Sequence, residues 1–215
     1  MAVLSVRKNG KRNGGVGILD AVKKNKRQLQ AESTKRQIFE AALRLLEQKE
    51  FETITVRDIV REAEVSIGSF YHSYASKLDV FYETYQVADE YFDTEVRRRL
   101  TQPTAKARIL CFFEEYAFYN CKKTAFPLLK VLYNPNNAYF HRSRNYGMQP
   151  MLVELVQQAL LSGEFKSTLS AERIAEYLMV CSRGVVYDWC LAAGEYSLTE
   201  RLMEYVQMLL CAFCK

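Results

Sequence analysis

The stretch Ser66-Ile67-Gly68-Ser69-Phe70-Tyr71-His72-Ser73 puts small hydroxyls, a glycine, a tyrosine and an imidazole within eight residues. Phe70 and Tyr74 stand four apart, so on a short helix both can anchor one side. Ile67, Ser69, Tyr71, His72 and Ser73 then face outward. Hydroxyls and imidazoles donate to phosphate oxygens or to base edges, and small side chains allow a helix to approach a major groove closely. This is chemistry of recognition, not of catalysis. Of the two histidines, His72 belongs to this face and His141 stands near a turn. Neither has a Gly-rich phosphate loop, a metal cluster or a nucleophile motif beside it.

Six cysteines, Cys111, Cys121, Cys181, Cys190, Cys211 and Cys214, all fall in apolar, helix-patterned stretches. With no export signal they read as buried thiols. Cys211 and Cys214 have ligand spacing, but no second pair or nearby histidine completes a site. No metal, cofactor or enzymatic activity is expected.

The elements that must position the outward face follow from local signals. Ile38, Ala41, Ala42, Leu45 and Leu46 make one apolar stripe on a helix read from Ser33. Thr55 and Asp58 give a helix-start signature, and Ser66 caps the short helix after it. Two short helices joined by a turn of this kind form a helix-turn-helix. Ser76 and Asp79 start a longer helix, with Lys77 in its first turn, where free N–H groups attract anions.

Charge is concentrated at one end. Residues 1–36 carry ten Lys or Arg against Asp20 and Glu32, whereas the whole chain is only +5. Residues 1–31 read as a flexible basic arm, either a phosphate-binding segment or a solvated tail. Met1 to Gly17 lacks an apolar centre and a cleavage site, and no membrane span is expected.

The run from Thr55 to Lys77 resembles the DNA-binding signature of the TetR family, with similarity over about Glu32 to Tyr91. The resemblance implies an all-α fold of about nine helices. A three-helix DNA-binding domain (32–91) would precede a helical ligand-binding and dimerisation domain (92–215). It also implies roles. Thr55 caps the second helix and touches phosphate, Tyr71 contacts phosphate, Lys77 opens the fourth helix, and Gly68 permits close approach. Ser66, Ile67, Ser69, His72 and Ser73 lie where relatives meet bases or backbone. Three positions depart from the family pattern. Glu64 replaces a turn glycine, Ile67 a lysine and Ser73 a histidine, and these bear on which DNA sequence is read.

Beyond residue 92, Pro103, the Asn134-Pro135-Asn136-Asn137 turn and Gly163 divide the chain into further helices. Fifteen of the 27 aromatic residues lie between Phe81 and Tyr146. They are either core or the wall of a ligand cavity, for which Phe112, Phe113, Tyr116, Tyr119, Phe126, Tyr133 and Tyr177 are the candidates. The last two helices, starting at Ser170 and Ser197, are apolar on more than one face. One face is expected to meet a second copy of the chain through Leu178, Cys181, Val185, Trp189, Leu202, Val206, Leu209 and Phe213. The resemblance points to a cytoplasmic homodimeric repressor that binds a double-stranded DNA operator and a small-molecule effector. The competing reading is a ligand-binding or protein-interaction module whose DNA head is inactive.

Overall fold

Three hydroxyl caps set the geometry of the N-terminal region in the computed structural model, which describes residues 16–134 and 148–214, with backbone alone for 16–25. Among the described residues the chain forms nine helices and no strand. The Asn134–Asn137 turn, His141 and the first 15 residues lie wholly or partly outside the described residues.

Helix α1 spans Val16–Gln48, so it begins well before Ser33 and includes residues read as a flexible arm. The apolar stripe marked where burial starts, not where the helix starts. No glycine or proline interrupts the chain between Gly17 and Gly68, and Ala, Lys, Arg, Gln and Leu favour helix throughout. Residues 26–33 are exposed, whereas Ile38, Ala41 and Ala42 are fully buried. A 3₁₀ turn over Phe51–Thr53 leads to α2 (Val56–Glu62), which opens with a complete capping box between Thr55 and Asp58. Helix α3 (Ile67–Ser73) starts where Ser66 accepts from the Ser69 N–H. Helix α4 begins at Lys77 behind Ser76, runs to Tyr91, then continues through a π turn at Phe92–Val96 to Arg99.

The body follows. Helix α5 (Ala105–Phe118) passes through a second π turn at Tyr119–Lys123, and α6 (Phe126–Leu132) follows with Pro127 in its first turn. The N-terminus of α5 is capped from a distance, since Glu164 accepts from the N–H groups of Ala105 and Lys106 at 2.9 Å each. Those bonds hold the Glu164 carboxyl below its ordinary range. After α7 (Met148–Leu161), helices α8 (Ala171–Leu191) and α9 (Leu198–Cys211) form the terminal hairpin. The link between them turns at Gly194, φ +78°, a left-handed conformation that favours glycine, beside the rings of Trp189 and Phe126.

Two apolar cores result. The first joins Ile38, Ala42, Leu45, Ile59, Phe70 and Phe81 of the head to Leu128, Val131 and Leu132 of α6. The second joins α5, α7, α8 and α9 around Phe112, Phe113, Leu152, Leu178 and Leu202. The expected dimer residues need correcting here. Leu178, Val185, Leu202, Val206 and Phe213 are buried in their own second core, and Cys181, Trp189 and Leu209 are half-buried at its margin. The apolar residues that face outward are instead Tyr177, Val180, Tyr187 and Leu191 on α8, with Tyr205 and Met208 on α9. Periodicity finds both stripes of such helices but does not tell which one turns inward.

Candidate DNA-reading head and effector cavity

Helix α3 is held from behind by Phe70, which is fully buried and meets the ring of Tyr71 edge-on at 5.3 Å. That leaves Ile67 and Tyr71 about half exposed, with Ser66, Gly68 and His72 also outward and Ser69 and Ser73 half-buried. At Gly68 an added Cβ would meet nothing closer than Ser66 Oγ at 3.7 Å. The glycine is therefore not required by internal packing, and the open space lies on the outward side. Ser66, Gly68, Ser69, His72 and Ser73 share a shallow groove with Arg27, Gln30, Ala31 and Thr34 of α1.

The turn between α2 and α3 closes with the Val65 N–H bonded to the Val60 carbonyl and the Glu64 N–H to that of Arg61. Glu64 has φ +55°, the left-handed conformation that a glycine would adopt without a Cβ penalty. Thr55 Oγ donates to Asp58 Oδ2 at 2.7 Å and accepts from the Asp58 N–H. The Thr55 side-chain and backbone bonds hold the Asp58 carboxyl below its usual range.

Lys77 opens α4, but its side chain does not point to an anion at the helix start as expected. Its ammonium donates to the carbonyls of Phe51, at 2.7 Å, and Ile54, at 2.8 Å, and reaches that of Glu52 at 3.4 Å. It also lies 4.2 Å from the centre of the Phe51 ring. Three donors meeting three carbonyls leave none for a phosphate. Lys77 fastens the 3₁₀ turn to α4. Its partners are main-chain atoms, which carry no sequence signal.

Behind the head, α4, α5, α6, α7 and α8 line a partly open cavity of about 70 Å³. Of the seven candidates, Tyr116, Tyr119 and Tyr133 line it, and Tyr116 and Tyr133 share a 2.7 Å hydrogen bond between their hydroxyls. Burial pushes both phenols up, so both remain protonated near neutrality. The other four expected residues are elsewhere. Phe112 and Phe113 are fully buried core residues, Phe126 packs edge-on against Trp189, and Tyr177 is exposed beneath Arg173. Sequence reasoning missed Thr84, Asp89, Asn120 and Arg183, the polar part of the wall. Burial raises the Asp89 carboxyl, more than the bond it accepts from the Met148 N–H lowers it. The buried Thr84 hydroxyl has no hydrogen-bond partner among the described residues.

The cysteines form no disulfide, and burial lifts the Cys190 thiol to about 11. Among the described residues no His, Cys, Asp and Glu group could hold a metal ion, and no helix is long and apolar enough to cross a membrane.

A helix-turn-helix head joined through α4 and α6 to an all-helical body defines the class of fold. Residues 38–84 match the family model described as bacterial regulatory proteins, tetR family, so the chain carries a TetR-family N-terminal domain. No curated protein matches the chain. Among solved structures it is similar to Thermus thermophilus FadR, a TetR family transcriptional repressor in complex with lauroyl-CoA. That match has TM-score 0.67 and 22% identity, and covers 82% of this chain and 93% of that one. Bacillus subtilis FadR in complex with stearoyl-CoA gives TM-score 0.64 and 17% identity over 81% and 96% of the two chains. The ketosteroid regulator of Mycobacterium tuberculosis gives TM-score 0.53 and 17% identity over 84% and 95%. These likenesses establish the TetR-type fold.

Proposed function

We propose that the chain is a ligand-responsive transcriptional repressor that binds a palindromic DNA operator as a homodimer and leaves it when a small molecule enters the cavity. The observation that carries this is α3, a short capped helix anchored by Phe70 that turns Ile67, Tyr71 and His72 to solvent. Tyr71 supplies a phosphate donor, and Ile67 suits the methyl group of a thymine.

One such helix meets few base edges. Two of them about 34 Å apart, or a multiple of that, read a two-fold site. The exposed stripe of the terminal hairpin supports the pairing. Tyr177, Val180, Gly184, Tyr187 and Leu191 recur at alternating spacings of three and four along α8, and Tyr205 and Met208 continue the face on α9. Gly184 is exposed with open space over its Cα, which suits the crossing point of two close helices. Arg173 and Arg201, stacked on Tyr177 and Tyr196, form a polar rim.

The effector acts through α4 and α6. Each contributes to the head core, α4 with Phe81 and α6 with Leu128, and each also walls the cavity, α4 with Thr84 and α6 with Leu129. A ligand larger than the space between these helices would part them. Parting them moves the head relative to its twin, so the ligand favours a dimer with mismatched half-site spacing. An effector with an apolar body and a polar atom facing Thr84 fits the wall. The two acyl-CoA thioesters bound by the similar structures are the first compounds to try.

The test is binding of the purified protein to its own upstream DNA and to sites selected from a random library, at several salt concentrations. Wild type should bind tightly with a steep salt slope, and Tyr71→Phe, which removes one hydroxyl from each subunit, should bind at least roughly tenfold more weakly, two hydrogen bonds of about 0.7 kcal/mol each. Absence of any selected site would favour the interaction-module reading.

A further inference from the structure

We infer that the N-terminal stretch of α1, residues 16–34, is a second DNA-contacting element: a basic helix that tracks the phosphate backbone beside the site read by α3. The inference rests on the DNA-binding role proposed above.

Three observations meet here. First, α1 does not stop at the head. From Val16 to Glu32 it continues as 17 residues of helix, about 25 Å long at 1.5 Å per residue. Second, this extension borders the outward face. Arg27, Gln30, Ala31 and Thr34, at helical spacings, form one wall of the groove whose other wall is Ser66, Gly68, Ser69, His72 and Ser73 of the reading helix and its cap. A duplex seated on α3 therefore passes this side of α1.

Third, the charges divide according to position. Lys35 pairs with Glu83 at 2.6 Å and Arg36 with Glu40 at 2.7 Å, so the cations nearest the head are engaged by the protein's own carboxylates. Lys26 and Arg27, farther out, are exposed and form no ion pair among the described residues. Lys23 and Lys24 precede them in sequence, and Asp20 and Glu32 are the only acids between positions 16 and 35. A surface of this charge, continuous with a DNA-reading face, complements phosphate.

Helical form decides where it goes. A helix with its side chains is 10–12 Å wide, whereas the minor groove is about 6 Å wide. With α3 in the major groove, the extension lies across the backbone and contributes affinity without reading sequence.

The experiment measures affinity and salt slope for the full-length chain on two probes: a 40-base-pair duplex carrying the library-selected site, and the same duplex scrambled. The Lys26→Gln/Arg27→Gln variant should bind both probes at least tenfold more weakly near 0.15 M salt. Its slope should be shallower by about two to four, because a dimer loses up to four phosphate contacts. Its ratio of selected to scrambled affinity should be unchanged. Gln28→Pro, which keeps every charge and breaks the helix, should also weaken binding to both probes. If the double variant binds within twofold of wild type with the same slope, the extension does not touch DNA, although wild-type and Tyr71→Phe binding still support the head. If only Gln28→Pro binds like wild type, an unstructured basic tail makes the contact and the helical track is wrong. If wild type selects no site, the head reading fails and this inference fails with it.

Discussion

The head and the body of this chain cap their helices alike, a hydroxyl closing on the residue three positions later, but they differ in what they leave unsatisfied. In the head, Thr55, Ser66 and Ser76 each close on a residue three positions later, and Lys77 fills three carbonyls. The body, with the C-terminal half of α4 that joins it, carries two π turns, buried hydroxyls on Thr84 and Ser182 without partners among the described residues, a raised carboxyl at Asp89, and an apolar stripe open to solvent. The head is internally complete and exposes only what another molecule would read. The body, by contrast, retains unmet bonds and uncovered apolar surface, which a ligand and a second subunit would satisfy.

The largest effect expected from this contrast lies on the stripe. Val180→Arg combined with Met208→Arg should convert the protein to monomer in sedimentation, and operator affinity should fall by a hundredfold or more. A variant that stays dimeric would place the interface elsewhere. Next is Lys77→Met, which leaves carbonyls of the 3₁₀ turn without their charged donor. It should cost about 1.5–3 kcal/mol, a Tm lower by roughly 3–12 °C, with the DNA salt slope unchanged. A shallower slope at full stability would return Lys77 to the phosphate.

Glu64→Gly should act the other way. Relief of the left-handed backbone is worth about 1 kcal/mol, so Tm should rise by roughly 2–4 °C with unchanged DNA affinity. The smallest effect concerns Asp89. A carboxyl whose folded pKa is raised costs stability while ionised, and that cost disappears as pH falls through the folded value. Asp89→Asn, which keeps an acceptor for the Met148 N–H, should therefore be more stable than wild type at pH 7 and lose this advantage toward pH 4. Asp58 and Glu164 have lowered values, so their contributions are present at neutral pH and lost as pH falls through those values. They set the acid limit of both proteins alike.

The same contrast explains what the sequence could convey. The head is built from signals three or four residues apart, the caps at Thr55, Ser66 and Ser76 and the Phe70–Tyr74 pair, so its helices and outward face were readable. Lys77 was not, because its partners are main-chain oxygens brought close by the fold. In the body, contacts come from distant helices, and residue type alone misplaced them. Phe112 and Phe113 have no polar atom and lie in the core, whereas Tyr116, Tyr119 and Tyr133 carry hydroxyls and reach the cavity. On α8 the outer stripe is the one bounded by Arg173 and tyrosines. Such amphipathic side chains tolerate a surface edge and were the available clue.

Helix α6 bears on how such proteins can diversify. Leu128, Val131 and Leu132 belong to the head's core although they lie some forty residues beyond it in sequence. A break in the chain near residue 92 is thus not a break in the packing. A recombination event that moved only the first ninety residues onto a foreign body would deliver a reading head with three leucine- and valine-sized vacancies in its interior. Exchange of specificity between relatives is expected to preserve the matched pair of head and α6, so the two should be inherited together.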